Sequence, residues 1–450
     1  MSSFRTLVRL AWPIVISRSA QVVVGISDAV MVSHLGASAL AATTAGALNA
    51  MALFILPMGT VFAVATFSSQ SFGAGDLAGA RRHGWYGLAV AAATQVLAVA
   101  SLGLVPALLG RLSYAPDVQT LLADYLSLRL WSGGAVVGLE ALGSYYGGLG
   151  NTRLPMLAQV AAMLLNVLGN WLLIDGRLGL PALGVRGAAL ASALSTSIAF
   201  LGLLVVFTRG GLGAAMGRLR MRELWRLLRV GLPSGLNWFL EFLAFLFFTN
   251  VVVAGLGTSA VAAFMSVIQL SSVAFMPSFA LASAGAILVG QSIGGDRKDE
   301  VPRTVRVTFL AAGGWQSLAG LLYLAVPGLL LAPFARDPGT SAPLLAVAIP
   351  MLRLSAAWAL FDAAAATLSE ALRAAGDTAW ALWARVVIAW AVFAPGSWFT
   401  VPAAGGHAEQ LAVGWMVLYL GLLAGALWLR FRSGAWRRIA LLEPGLTARS

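Results

Sequence analysis

Long apolar segments follow one another along the whole chain, and they limit the fold more than any other feature. About 20 apolar residues are enough to cross the roughly 30 Å hydrocarbon layer of a bilayer as a helix. Hydrophobic residues make up 59% of the 450 positions and charged residues only 10%. So few charges cannot cover the surface of a soluble protein of this size. The sequence therefore predicts an all-α membrane protein with twelve transmembrane helices, near residues 9–33, 40–68, 84–109, 121–148, 154–174, 186–208, 230–254, 259–288, 305–331, 343–371, 379–400 and 411–430.

Arginine and lysine are concentrated in alternate loops and at both termini. An even number of spans places both termini on one side, and the positive-inside rule makes that side the cytoplasm. The opposite loops hold only Arg111, Arg177, Arg186 and Arg336. This topology accounts for the net charge of +12, so we expect no nucleic-acid partner.

The two halves of the chain repeat each other. The segment LGASALAA at 35–42 returns as LGTSAVAA at 256–263, and GLGNT at 148–152 returns as AAGDT at 374–378. Each half has six spans, so both copies enter the membrane from the same side. Parallel repeats of this kind, related by an axis along the membrane normal, are an architecture of secondary transporters. We expect an N-lobe at 1–210, a basic cytoplasmic linker at 211–229, a C-lobe at 230–430 and a cytoplasmic tail at 431–450.

Two acidic residues lie near the middle of spans in the second half. Glu241 and Asp362 are each about eleven residues from the cytoplasmic end of their span, which is roughly 16 Å of helix. Charged groups at this depth are expensive and mark functional sites by default. Two carboxylates in one apolar pocket cannot both stay ionised cheaply, so either one holds a proton or a cation lies between them. We therefore predict a coupling site for Na⁺ or H⁺ at this pair. The alternative is a carboxylate that serves only helix packing.

A second polar group is predicted in the first half. Asp28 and Asn170 lie at similar depths, roughly 28 and 24 Å from the cytoplasmic ends of their spans, so they can face each other. Asn166 is one helical turn from Asn170, and Ser192 adds a hydroxyl on the sixth span. A hydrogen-bonded clamp between helices is the alternative to a site. Gln21 aligns with Glu241 in the repeat, so we expect two inequivalent sites.

Five further side chains are candidates for the lining of a cavity. Aromatic residues around Glu241 suit an organic cation through cation–π attraction, although an aromatic stripe facing lipid has the same pattern. Glu140 faces the cavity, pairs with Arg129 or lies near the membrane boundary. Arg385 is one of several arginines inside span limits that can extend to an interface. The candidates are Gln21, Glu140, Trp238, Phe245 and Gln269.

The repeated motifs, in their order and spacing, resemble the multidrug and toxic compound extrusion family, in its NorM-type branch. The chain departs from the family pattern at Arg18, Asn170 and Glu370. The resemblance implies a monomeric antiporter of the bacterial inner membrane, surrounded by lipid, that exports cationic or amphipathic compounds against Na⁺ or H⁺. It also implies protonation or substrate binding at the Asp28 group. The motifs are SDAVMVSHLG from Ser27, SQSFGAGD from Ser69, NVLGNWLLIDGRLGLPALGVRGAAL from Asn166, GLPSGLNWFLEF from Gly231 and LFDAAAATLSEALRAAGDT from Leu360.

Two other function classes are less favoured. A flippase for a lipid-linked saccharide needs several cationic side chains in its cavity for the pyrophosphate. The residues at mid-depth are acidic instead, although Arg18, Arg129 and Arg353 keep this alternative open. An enzyme is not expected, because no HExxH, GxSxG or histidine–carboxylate pattern occurs. We also expect no cofactor other than the coupling ion, and the absence of cysteine excludes thiolate metal sites.

Overall fold

The computed structural model describes residues 4–111, 114–210, 218–335 and 341–442. These residues are almost entirely helical, and no β-strand occurs among them. The predicted all-α class is therefore confirmed. Arg336, positions 211–217 of the predicted linker and positions 443–450 of the predicted tail lie outside the described residues.

Eleven helical segments of the described residues are long and apolar enough to cross a membrane. They correspond to every predicted span except the fourth, which is divided into two helices. These segments are Phe4–Leu35, Ala37–Gly73, Leu77–Leu109, Arg153–Leu173, Val185–Arg209, Met221–Leu256, Thr258–Gly294, Lys298–Ala325, Ala342–Ala374, Thr378–Thr400 and Pro402–Arg432.

The fourth predicted span breaks at Trp131 and Ser132, between helices of 15 and 16 residues. Two glycines follow the break and allow close packing on neighbouring helices. The amide of Gly134 donates to the side-chain oxygen of Gln95 at 2.8 Å. That bond satisfies a backbone group that the break has freed, which is the requirement for irregular backbone at membrane depth.

The chain divides into two compact units. The N-terminal unit is Pro13–Gly235, and the C-terminal unit comprises the residues up to Trp12 together with those from Leu236 onward. Both boundaries fall inside helices, α1 (Phe4–Val32) and α10 (Met221–Phe247), so these two helices each contribute to both units. The helices from the first half are α1 (Phe4–Val32), α2 (Ala37–Val61), α3 (Ala63–Gly73), α4 (Leu77–Ala100), α5 (Val105–Leu109), α6 (Pro116–Leu130), α7 (Gly133–Gly148), α8 (Arg153–Leu173) and α9 (Val185–Arg209).

The C-terminal unit is built around α14, which packs against α11, α12 and α17. Its core is made largely of alanine, valine and leucine side chains, with Phe248, Phe264 and Trp358 among the buried aromatics. Two π-helical segments interrupt its helices, at Phe248–Val253 and Val387–Phe393. The helices are α10 (Met221–Phe247), α11 (Thr258–Gly294), α12 (Val301–Ala325), α13 (Pro327–Leu331), α14 (Ser341–Ala374), α15 (Thr378–Val386), α16 (Ala394–Thr400) and α17 (Ala408–Arg432).

The sequence repeat recurs as repeated backbone geometry. Gly36 precedes α2 with φ 109° and ψ 171°, and Gly257 precedes α11 with φ 102° and ψ 172°. Gly150 and Gly376 form a second matched pair, with φ of 82° and 87°. A side chain is strained at such positive φ values, which glycine adopts freely. The repeated glycines therefore end and begin equivalent helices in the two halves.

Candidate functional site

The acidic residue in the C-terminal half of α10 has a cationic partner. Glu241 forms an ion pair with the guanidinium of Arg385 on α15. Arg385 also donates from Nη1 to the hydroxyl of Tyr419 on α17 at 3.2 Å. The side chain of Arg385 is only 9% exposed, whereas that of Glu241 is 37% exposed. The arginine is thus the buried member of the pair, and the carboxylate is the accessible one.

Asp362 belongs to the same cluster. It lies half-buried on α14 and interacts electrostatically with Glu241 and Arg385. Tyr419 interacts with all three charged groups. Side chains from α10, α14, α15 and α17 therefore form one electrostatic unit, which we name the C-cluster: Glu241, Asp362, Arg385 and Tyr419. When both carboxylates are ionised, they and the one guanidinium give this cluster one net negative charge.

Arg385 corrects the interpretation of the sequence in one respect. Sequence reasoning expected either a proton or a bound cation between the two carboxylates, and it allowed Arg385 to extend to an interface. Instead the guanidinium is buried beside Glu241. An arginine within an apolar span was the only available signal, and several other arginines shared it. Depth along a helix does not give the direction in which a side chain points.

Irregular helix geometry accompanies the C-cluster. Arg385 is two residues before the π-helical segment that begins at Val387, and Glu241 is seven residues before the one that begins at Phe248. The two segments meet through Phe248 and Phe393, whose ring centroids are 4.9 Å apart. π-Helical turns are frequent at functional sites, because they widen a helix locally and redirect its side chains.

A hydrogen-bonded group in the N-terminal unit brings together four of the predicted residues. Asp28 accepts hydrogen bonds from the amide of Asn170 at 2.5 Å and from the hydroxyl of Ser192 at 3.0 Å. Asn166 donates to Ser192 at 2.9 Å and accepts from Asn170 at 3.3 Å. All four side chains are buried, with exposures of 5% or less. We name these four residues the N-cluster.

Arg129 is a neighbour of the N-cluster that the sequence did not indicate. Its charge interacts with Asp28, as does the ring of Tyr125. Its Nε and Nη1 atoms are buried and have no hydrogen-bond partner among the described residues. The side-chain oxygen of Asn170 is also buried without a hydrogen-bond partner among the described residues. The N-cluster therefore retains donors and an acceptor that a ligand or water can engage.

A third polar group of the N-terminal unit contains two predicted cavity residues. Glu140 on α7 pairs with Arg18 on α1, with an Nη2–Oε1 distance of 2.8 Å. Arg18 also donates to the side-chain oxygen of Gln21 at 3.3 Å. The expectation that Glu140 pairs with Arg129 is therefore wrong. Arg18, at which the sequence departs from the family pattern, has the role of counter-ion.

The remaining predicted cavity residues, Trp238, Phe245 and Gln269, differ in their surroundings. The ring of Trp238 contacts Phe279 edge-on, with centroids 5.7 Å apart. Phe245 packs against the apolar core of the C-terminal unit, so packing is sufficient to explain an aromatic side chain at this position. Gln269 is exposed on α11. Among the described residues, no group of three or more His, Cys, Asp or Glu side chains could hold a metal ion.

Comparisons with known proteins agree on one family. The family model MatE matches residues 13–172 and 233–398. A probable multidrug resistance protein NorM of Pseudomonas putida is 29% identical over 98% of this chain and 96% of its own length. The fold is similar to that of a multidrug resistance MATE family transporter solved in an outward-facing conformation, with a TM-score of 0.86, 20% identity and 97% coverage of both chains. A MATE transporter of Vibrio cholerae also gives a TM-score of 0.86, at 20% identity and with coverage of 97% of this chain and 98% of that chain.

Proposed function

The chain belongs to the MatE family of membrane transporters, and we propose that it exports cationic or amphipathic organic compounds in exchange for Na⁺ or H⁺. One observation carries this proposal. Two carboxylates, Glu241 and Asp362, interact with each other on spanning helices of the C-terminal unit, and both are partly accessible. Placing an acidic side chain within a membrane span costs free energy, so such a residue indicates a functional site.

Competition for negative charge supplies the coupling. With both acids ionised, the C-cluster has one net negative charge, which one bound monovalent cation neutralises. A second cation would leave a net positive charge, which an apolar surrounding disfavours. An organic cation and a coupling ion therefore exclude each other. If the site is open alternately to the two sides of the membrane, inward release of the ion drives outward release of the cargo. The electrostatic link between Glu241 and Asp362 supports this exclusion.

The N-cluster is proposed as a second, inequivalent site. The carboxylate of Asp28 is buried and is held by neutral donors from Asn170 and Ser192. Protonation of Asp28 would require these donors to rearrange, because a protonated carboxyl group donates as well as accepts. Such a rearrangement links ion binding to the packing of α1 against α8 and α9. We propose that it takes part in protonation or substrate binding, as the resemblance implies.

A flippase for lipid-linked saccharides is the less supported alternative. It requires arginines that are free to bind pyrophosphate. Arg18 and Arg385 are each paired with a carboxylate, and Arg353 is exposed on α14. The Nε and Nη1 atoms of Arg129 are buried without a hydrogen-bond partner among the described residues, but one such arginine is fewer than the several that a pyrophosphate site needs. The proposal also includes a monomer in the bacterial inner membrane, with both termini cytoplasmic and lobes at 1–210 and 230–430.

Vesicle transport tests the proposed function. Purified protein is reconstituted into liposomes that are loaded with a cationic dye. Efflux of the dye is then measured under an imposed pH or Na⁺ gradient. We expect Glu241→Gln and Asp362→Asn to reduce gradient-driven efflux by at least about tenfold, the size of a 1.4 kcal/mol effect. Asp299→Asn is the matched control, because its side chain is 95% exposed. Efflux by Glu241→Gln at the wild-type rate would refute the role of the pair.

A further inference from the structure

We propose that Arg385 is a tethered cation of the coupling site, which reserves Glu241 for itself and leaves Asp362 as the carboxylate that exchanges a single proton. This inference rests on the proposed function of the C-cluster and makes it more specific. It gives Arg385 a role in the site and identifies the coupling ion as H⁺. Neither follows from the presence of the two acids.

The first step concerns the contacts of Arg385. Its guanidinium binds Glu241 and the hydroxyl of Tyr419. Its Nε atom is buried without a hydrogen-bond partner among the described residues. A guanidinium does not lose its proton in proteins, and a buried charge must be paired. Arg385 therefore keeps a carboxylate beside it throughout any transport cycle.

The second step is a count of charge. With Arg385 bound to Glu241, only Asp362 has a negative charge that is not neutralised by a partner in direct contact. Glu241 and Arg385 are the charged groups that act on Asp362, and Tyr419 is the remaining titratable group that faces them. One monovalent cation balances the cluster. A second would leave a net positive charge in a site surrounded by apolar residues.

The third step concerns the choice between Na⁺ and H⁺. A hard cation such as Na⁺ needs several oxygen ligands in place of its water shell. The guanidinium occupies Glu241 and adds a positive charge at the place where these oxygens would converge. A proton needs only one carboxylate oxygen. The geometry therefore favours H⁺ at Asp362 and disfavours Na⁺.

Charge-count variants separate this role from a structural one. Glu241→Gln alone leaves no net charge and is expected to be inactive. The double variant Glu241→Gln/Arg385→Gln restores one negative charge at Asp362, so we expect H⁺-driven efflux to return to at least a tenth of the wild-type rate. The double variant Asp362→Asn/Arg385→Gln has the same charge count but lacks the exchanging carboxylate, and it should stay inactive. Equal rescue of both, or of neither, would overturn the assignment.

The ion choice is measured without transport. Melting temperatures of detergent-purified protein are compared in NaCl and choline chloride at equal ionic strength, because a ligand that binds the folded state raises the melting temperature. We expect Na⁺ to leave wild type and Arg385→Lys unchanged and to raise Arg385→Gln by about 2–4 °C. Arg18→Gln, which breaks the ion pair with Glu140, is the matched control and should show no Na⁺ response.

The two proposals fail in different ways. If wild type does not export the dye under any gradient but Arg385→Gln still gains the Na⁺ response, the antiporter function is wrong and the tethered cation is right. If wild type exports the dye with a Na⁺ gradient and melts higher in NaCl, Arg385 does not exclude Na⁺ and the inference is wrong. Should Arg385→Gln fail to fold, the Glu241→Gln/Arg385→Gln and Asp362→Asn/Arg385→Gln double variants still provide the charge-count test of the assignment.

Discussion

The helix that bears Glu241 has two glycines near its middle, Gly231 and Gly235, that pack directly against α2, and Gly235→Ala tests whether this contact is as close as the structure indicates. A Cβ atom at Gly235 would lie 2.2 Å from the carbonyl oxygen of Leu56 and 2.6 Å from the hydroxyl of Thr60. At Gly231 it would lie 2.5 Å from the carbonyl oxygen of Thr60. Backbone oxygens cannot rotate away as a flexible side chain can. The two helices must therefore separate.

The size of the effect follows from these distances. An ordinary contact of a Cβ atom begins near 3.4 Å, so Gly235→Ala requires α10 and α2 to move apart by about 1 Å. Overpacking of this kind costs roughly 1–3 kcal/mol. Alanine also favours a helix over glycine by about 1 kcal/mol, which partly hides the cost. A control with the same chemistry but open space is therefore needed.

Gly425→Ala in α17 is that control, because a Cβ atom there meets nothing within 4 Å. Thermal unfolding in detergent, followed by the fluorescence of the 15 tryptophans, compares the two variants. We expect Gly235→Ala to melt several degrees below Gly425→Ala. Gly235 is six residues before Glu241, about 9 Å along the helix, so efflux should fall as well. If Gly235→Ala melts at or above Gly425→Ala, the close packing of α10 on α2 is refuted.

Two further predictions concern the polar groups of the N-terminal unit. Glu140→Gln should destabilise the protein by about 3 kcal/mol, because it leaves the largely buried Arg18 without its counter-ion. The Arg18→Gln/Glu140→Gln double variant should recover most of this loss in thermal melting, and a double variant no more stable than the single one would contradict it. Asn170→Ala removes a donor to Asp28 and should cost about 1–3 kcal/mol. Asn250→Ala, an exposed amide bonded within its own helix, should change melting little, and equal effects would argue against a special role for the N-cluster.

The fold was largely predictable from the sequence because its determinants are one-dimensional. Length and apolar character define a span, and the repeated glycines mark the same turns in both halves. The break at Trp131 and Ser132 was missed because apolar residues predominate on both sides of it. At the break, the side chain of Gln95 on α4 accepts a hydrogen bond from the amide of Gly134 on α7. A contact between helices of this kind leaves little trace in the local sequence.

The candidate sites divide in the same way. Depth along each span correctly indicated that Asp28 and Asn170 can meet, since both belong to helices whose ends are clear from loop charges. Depth did not indicate which side of each helix an arginine occupies. Arg385 and Arg18 therefore had no predicted partner, although each binds a carboxylate. Pairing between charges on different helices depends on rotation about the helix axis, and the spacing of polar residues in these apolar spans is too sparse to fix it.

The distribution of acids with and without an arginine partner indicates that Asp28 and Asp362 have different roles in transport. Of the four acids in the polar groups described above, each unit has one that is bound to an arginine, Glu140 to Arg18 and Glu241 to Arg385. Each also has one carboxylate that lacks such a direct cationic contact: Asp28, which neutral donors hold, and Asp362 in the C-cluster. Asp28 is 5% exposed and accepts one hydrogen bond at each carboxylate oxygen, whereas Asp362 is half-buried. Since cargo needs an accessible charge and a proton can reach a buried one by small rearrangements, the two acids are suited to different steps of one exchange.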